Sequence, residues 1–128
     1  MPSQHGDINI MEDTYSADRA IGKYRVVTFS STQNFVTFGA AKAPGIAGVT
    51  QNSTSASGDT VRVRQLGKSI VTISSAGVTI GVPLILSDAE GRVSNAGGAT
   101  GDGIVGVGEN AGSASGDQIT CFLQIRRA

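Results

Sequence analysis

The chain has 128 residues, with ten basic and ten acidic side chains and a formal net charge of zero. This length fits one domain, and the balanced charge argues against a nucleic-acid partner. One cysteine excludes an intrachain disulfide and a Cys-x-x-Cys metal or redox pair. The polar start of the chain does not have the pattern of a signal peptide, and no segment reaches the ~20 apolar residues that cross a bilayer. We therefore expect a soluble protein made inside the cell, with no membrane partner.

Glycine is abundant in the chain, at 18 residues, while tryptophan is absent and aromatic residues make up only 5%. This composition favours short strands joined by tight turns. No span of about twelve residues keeps a helical apolar period, and each glycine inside a helix would cost ~1 kcal/mol. The sequence thus predicts an all-β fold, a small single-domain β-barrel or β-sandwich.

The first part of the chain, residues 1–18, is rich in polar and chain-breaking residues. We predict an extended N-terminal arm there, followed by a β domain in residues 19–128. Ile8 and Ile10 alternate with polar neighbours, which suits a strand added to the sheet of another chain. A frayed tail is the alternative. Ser16 could also cap one helical turn over residues 16–21.

Strands are expected where β-branched and apolar residues cluster or alternate. In chain order, the predicted strands cover residues 24–30, 35–38, 45–50, 61–64, 68–73, 77–80, 84–86, 92–93 and 119–125. Alternation in residues 61–64 turns two valines toward a core and leaves Arg62 and Arg64 on a basic outer strip with Lys68. Such a strip is typical of a solvated face, and an acidic protein partner is the alternative.

One stretch of the sequence occurs twice. Residues 45–61 read GIAGVTQNSTSASGDTV and residues 103–119 read GIVGVGENAGSASGDQI, at an offset, 103 − 45, of 58 residues. At the same offset Val26-Val27 aligns with Leu84-Ile85. We predict two tandem pseudo-repeats, about residues 24–66 and about residues 82–124. Because blades and solenoids need about three or more copies, two copies favour one barrel or sandwich with internal pseudo-symmetry.

Residues 101–106 match the GxGxxG pattern of dinucleotide-binding folds, which requires a strand before the pattern and a helix after it. The glycine-rich residues that follow cannot start a good helix, so we expect no nucleotide site. Close approach of backbones in a curved sheet explains the glycines of both copies better.

Other candidate reactive residues also have structural explanations. The Ser-Ala-Ser-Gly-Asp of residues 55–59 and 113–117 has no credible catalytic base, because the one histidine, His5, lies in the predicted arm. A loop with a glycine at positive φ and an aspartate that caps backbone N–H groups explains both copies. Asp88 and Glu90 fit a hairpin turn, and Cys121 fits a small buried hydrophobe. We expect no catalytic residues, no metal and no cofactor, and a protein that is not an enzyme.

Taken together, the motifs resemble a known family. They follow the order YRVVTF (24–29), GIAGVTQN (45–52) and GDTVRVR (58–64), and then a second round, GVPLILSDAEGRV (81–93), IVGVG (104–108) and GDQITCFL (116–123). This order resembles the tailed-phage capsid cement, or head decoration, proteins of the DUF2190 type. The resemblance covers about residues 18–125.

The resemblance implies a β-rich, β-tulip-like homotrimer in the virion. It would lie on the outer surface of the expanded capsid, where it stabilises contacts between subunits of the major capsid protein. It implies no catalytic residues, and no nucleic-acid, membrane or small-molecule partner. The candidate residues for contact with the capsid or with a second subunit are Ile8, Ile10, Met11, Tyr15, Arg62, Arg64 and Phe122. The alternative function is a carbohydrate- or protein-binding β module of a phage tail or fibre.

Overall fold

The computed structural model describes residues 10–74, 77–96 and 101–127, which form nine β-strands and no helix. This confirms the all-β prediction. The strands are β1 (Met11–Ala17), β2 (Val26–Phe29), β3 (Phe35–Thr37), β4 (Ile46–Thr50), β5 (Thr60–Thr72), β6 (Pro83–Leu86), β7 (Val93–Asn95), β8 (Gly103–Gly108) and β9 (Gln118–Arg127). Nowhere in the described ranges is there a helix long and apolar enough to cross a membrane.

Strands β1 to β5 close into a five-stranded barrel. The strands are ordered β1-β3-β2-β4-β5, and β5 pairs back onto β1 in antiparallel register. The barrel interior is narrow, so small side chains fill it. The buried residues are Ala17, Ile21, Val27, Val36, Ala47, Val61 and Val63.

The thirteen-residue strand β5 continues beyond this barrel and begins a second sheet, ordered β5-β9-β8-β6-β7. A parallel bridge between Ile73 and Val93 brings the two ends of that sheet together. The chain therefore contains two similar five-stranded units that share one long strand. We call residues 11–66 unit 1 and residues 67–127 unit 2.

Strand register confirms the pseudo-repeat and corrects its alignment by one residue. Val27 lies opposite Gly48 in unit 1, and Leu84 lies opposite Gly106 in unit 2. The offset is thus 84 − 27 = 57 on the first strand and 106 − 48 = 58 on the second. The sequence alignment had matched Val27 with Ile85 instead. Each ladder carries a bulge directly after Val27 or Leu84, which supports the corrected match.

The structure also moves the boundaries that the sequence predicted. Met11–Ala17 is a barrel strand, so the predicted arm of residues 1–18 loses its second half, and residues 1–9 lie outside the described residues. The helical turn over residues 16–21 is wrong, because its start belongs to β1. Residues 68–72 belong to β5 and Ile73 forms only a bridge, as does Val78, which bridges to Gly112 within the predicted strand 77–80. In place of a strand pair between the units, the chain has one shared strand.

The two units pack against each other through a second core. Val26, Ile46 and Val49 point out of the unit 1 barrel, yet they are buried in one cluster with the interior residues of unit 2. Backbone hydrogen bonds join the same surfaces: the Val26 N–H donates to the Gly91 carbonyl at 2.9 Å. The units therefore form one continuous hydrophobic core.

Candidate interaction surface

The outer face of β5 carries a group of exposed apolar side chains. Alternate residues of β5 point outward, and these include Leu66 and Ile70. Met11 lies opposite Leu66 on β1, and Phe122 lies opposite the intervening Lys68 on β9. The four apolar residues are between 36% and 52% exposed. We call Met11, Leu66, Ile70 and Phe122 the β5 outer patch.

Scattered exposed hydrophobic residues are normal on a protein surface, whereas neighbouring ones on one sheet face are typical of an interaction site. Residues diagonal to each other across paired strands are within reach of an aromatic side chain. Phe122 can therefore bridge Leu66 and Ile70 across the stem of Lys68. The outer patch offers a flat apolar surface without a deep pocket, which suits a protein partner.

The predicted basic strip beside this patch is largely neutralised. Arg64 Nη2 lies 2.6 Å from Glu12 Oε2, and Arg62 Nη1 lies 3.4 Å from Glu12 Oε1. Lys68 Nζ is 3.2 Å from Glu109 Oε2. Exposed ion pairs of this kind contribute little to stability, about 0–1 kcal/mol each. They do reduce the attraction of the strip for an acidic partner, which favours the interpretation as a solvated face.

The structure places the sequence-predicted contact residues in two separate regions. Met11 and Phe122 belong to the outer patch, and Ile10, 54% exposed, directly precedes Met11. Tyr15 is half-buried against the core of unit 1, its ring centroid 5.9 Å from that of Phe29 at an interplanar angle of 71°. The Gln65 side-chain amide donates to the Tyr15 hydroxyl at 3.0 Å. Tyr15 therefore faces away from the patch, while Ile8 lies outside the described residues.

Sequence analysis missed Leu66 and Ile70. It predicted two separate strands, residues 61–64 and 68–73, so Leu66 lay between strands and the outward faces of the two were not joined. Gly67 has φ 100° and stays in the strand. Following the alternation across that glycine would have placed Leu66, Lys68 and Ile70 on one face.

The repeated Ser-Ala-Ser-Gly-Asp loops are structural, as predicted. Asp59 Oδ2 accepts hydrogen bonds from the backbone N–H groups of Ser55 and Ala56, both at 3.0 Å, and the equivalent Asp117 accepts the same pair in unit 2. These bonds stabilise the carboxylate, so the pKa of Asp59 lies below its ordinary value. Gly58 has φ 92°, a left-handed conformation that favours glycine.

Asp88 and Cys121 also take structural roles. Asp88 Oδ1 accepts the Glu90 N–H at 2.9 Å and Oδ2 lies 2.7 Å from Arg92 Nε, while Gly91 closes the turn at φ 75°. This is the predicted hairpin turn. Cys121 is fully buried inside unit 2, and burial raises the pKa of its thiol to about 12. A thiol with so high a pKa is a poor nucleophile at neutral pH.

An open groove also lies where unit 1 meets the end of β9. Its volume is ≈ 530 Å³, and it is lined by Pro44, Gly45, Ile46, Ile125 and Arg126. The lining is mostly apolar, with one guanidinium at the rim. Unlike the flat outer patch, the groove is a concave surface on which a peptide or a loop of a partner could lie.

Comparisons with known proteins support the fold. No family model matches the chain, and no curated protein matches its sequence significantly. The family resemblance drawn from the motifs therefore remains a prediction. Among solved structures, the chain is similar to the crystal structure of the head fiber gp8.5 N base in bacteriophage phi29. The TM-score is 0.69 at 16% sequence identity, and the match covers 91% of this chain and 95% of that chain.

Proposed function

We propose that this chain is a structural component of a phage head, a decoration protein that binds the outer surface of the expanded capsid. Two independent lines support this. The order of the repeated motifs resembles head decoration proteins, and the fold matches, over nearly the whole of both chains, the N base of a phage head fibre protein. The structural match carries the proposal.

The surface of the molecule suits such a role. The β5 outer patch is an exposed apolar face centred on the strand that both units share, so a partner bound there would be anchored to both units. A protein that binds only the assembled, expanded capsid stabilises that state by mass action and needs no chemistry. Repeated weak contacts from a homotrimer gain strength from their effective concentration. The major capsid protein is the proposed partner, and the protein is proposed not to be an enzyme.

The test is binding to isolated heads made without this protein. Wild-type protein should sediment with expanded heads and raise the temperature at which they release DNA. Leu66→Lys should weaken binding, because it places a charge in the middle of the outer patch. Ile80→Lys is the matched control, since Ile80 is 62% exposed and lies outside the patch. Wild-type protein that stays in the supernatant with expanded heads contradicts the proposal.

A truncation can test the N-terminal segment separately. Removal of residues 2–9 leaves β1 intact, whereas removal of residues through 13 would cut into Met11–Ala17 and open the barrel of unit 1. If the segment contributes to attachment, the shorter truncation lowers head binding without lowering the Tm. Unchanged binding would limit the contact to the residues that follow this segment.

A second candidate function is a carbohydrate- or protein-binding β module of a phage fibre. The observation that favours it is that the structurally similar protein is itself described as part of a head fibre. Binding to a glycan array in the absence of any binding to heads would favour this second function.

A further inference from the structure

The contact between the two units joins two different surfaces. One is the outer face of unit 1 at Val26, Ile46 and Val49, which we call the plug. The other is the set of unit 2 residues buried with it, Val71, Leu86 and Leu123, which we call the socket. The plug residues are between 0% and 6% exposed. Because plug and socket are not equivalent surfaces, the contact is heterologous, and each unit should possess a copy of both.

Strand register identifies those second copies. Val26 and Val49 form a ladder pair in unit 1, as Pro83 and Val107 do in unit 2, so the unit 2 plug lies at Pro83 and Val107. Tyr15 pairs with Val61 as Val71 pairs with Ile119, which makes Tyr15 the unit 1 equivalent of the socket residue Val71.

Phe29 is in turn the equivalent of the socket residue Leu86. Phe29 lies opposite Val36, as Leu86 lies opposite Val93. The chain thus carries a second plug on unit 2 and a second socket on unit 1. No other part of the described chain covers either of them completely.

Both spare surfaces are partly exposed and largely apolar. The exceptions are the equivalent of Leu123, which is the polar Gln65, and the equivalent of Ile46, which is Ile104 and is only 3% exposed. Phe29 is 54% exposed, although its equivalent Leu86 is completely buried. Pro83 and Val107 are half-buried, although Val26 and Val49 are completely buried. Phe122 lies directly beside Val107 and extends the spare plug. The unit 1 position equivalent to Phe122 is the ion-paired Arg64. The spare plug of unit 2 therefore has an apolar residue where the plug of unit 1 has a charged one.

A second contact of this kind would lack the backbone hydrogen bond that joins the two units. In the internal interface the Val26 N–H donates to the Gly91 carbonyl. Pro83 has no N–H to donate. Asn34, the unit 1 equivalent of Gly91, already has its carbonyl bonded to the Ser16 N–H at 2.8 Å. Neither spare surface needs this hydrogen bond, so apolar packing alone can join them.

We propose that copies of this chain bind one another head to tail, with Pro83, Val107 and Phe122 of one copy covering Tyr15 and Phe29 of the next. The occupant of each spare surface is therefore a second copy of the chain, held as unit 1 is held by unit 2. Repetition of such a contact closes a ring or extends as a filament, depending on the rotation between copies. The inference deepens the homotrimer of the proposed function, but it depends only on the internal interface.

Purified protein without heads tests it. Light scattering of the wild type at ~100 µM should give an oligomer, a concentration at which even a modest interface is populated. Val107→Lys blocks the spare plug and Phe29→Lys blocks the spare socket. Each should weaken association by about 30-fold, as expected when a central apolar contact is lost. Ile80→Lys is the control, because Ile80 is 62% exposed and belongs to neither surface, and it should leave association unchanged. Circular dichroism checks that all three variants are folded.

Mixing the two blocked variants gives the sharpest readout. A plug-blocked copy keeps its socket and a socket-blocked copy keeps its plug, so an equimolar mixture should form a one-to-one dimer that neither variant forms alone. Lysine on both sides of the remaining contact prevents closure. A monomeric wild type, an oligomer that survives both substitutions, or a mixture that stays monomeric would overturn the proposal. Loss of head binding alone would affect only the proposed function.

Discussion

Replacing Gly106 with alanine should destabilise the whole chain, because β8 and β9 approach too closely there to admit a side chain. A Cβ atom on Gly106 would overlap the backbone carbonyl oxygen of Phe122 and lie 3.0 Å from Cys121 Sγ. The carbonyl cannot retreat without disturbing the ladder that pairs Gly106 with Leu123. Overpacking typically costs ~1–3 kcal/mol. Since the obstacle is backbone, we expect about 3 kcal/mol less free energy of unfolding, or a fall in Tm of roughly 10 °C.

Urea unfolding followed by circular dichroism measures this loss. Gly48→Ala should lose at least as much free energy of unfolding, because its Cβ would overlap the Arg64 carbonyl at the equivalent place in unit 1 and its φ of 150° is one that side chains rarely adopt. Gly22→Ala is the control, since a Cβ there meets only the Arg25 side chain at 3.7 Å. Its effect should stay within about 0.5 kcal/mol. A Gly106→Ala protein as stable as the Gly22→Ala protein would refute the close-approach argument.

Two further predictions concern the loops and the core. Hydrogen bonds from the Ser55 and Ala56 N–H groups lower the pKa of folded Asp59. The Asp59 carboxylate therefore stabilises the protein fully above its unfolded-state pKa, and this stabilisation is lost as pH falls through its lower, folded-state pKa. Asp59→Asn should flatten the acid limb of a curve of Tm against pH. An unchanged acid limb would contradict this prediction. Cys121→Val should lower the free energy of unfolding by under ~1 kcal/mol, because Val63 fills the equivalent place in unit 1. Cys121→Ser buries a hydroxyl and should lower it by about 1–3 kcal/mol. Equal urea midpoints for the two variants would contradict the equivalence of Cys121 and Val63.

The turn and loop chemistry was predictable because it depends on neighbours in sequence. The glycine of each Ser-Ala-Ser-Gly-Asp loop requires a conformation that few other residues adopt, and the aspartate bonds to backbone groups only three and four residues away. The hairpin at Asp88 follows the same logic. The length of β5 was not predictable in this way, since Gly67 interrupts the pattern and only pairing with β1 and β9 holds that residue extended.

The candidate surface was predicted only in part, because local sequence does not show which way a strand residue points. Met11 and Phe122 were recognisable as apolar residues among polar neighbours, but Tyr15 shows the same local pattern and packs instead against the core of unit 1. Local sequence does not distinguish the two, because the direction of each side chain depends on the register of its strand. A register shift of one residue turns every side chain of a strand to the other face.

The amino-acid sequence by itself determined that the chain is all-β, that it is duplicated, and where its tight turns lie, because glycine positions, alternation and the repeat are properties of short segments. Only the tertiary structure decided that the two units share β5 and that one packs into the other. The first strand of unit 1, Met11–Ala17, corresponds to the C-terminal half of β5 in unit 2, and the two segments have no recognisable sequence similarity. Their equivalence rests on backbone hydrogen bonds, which any sequence of suitable polarity can make.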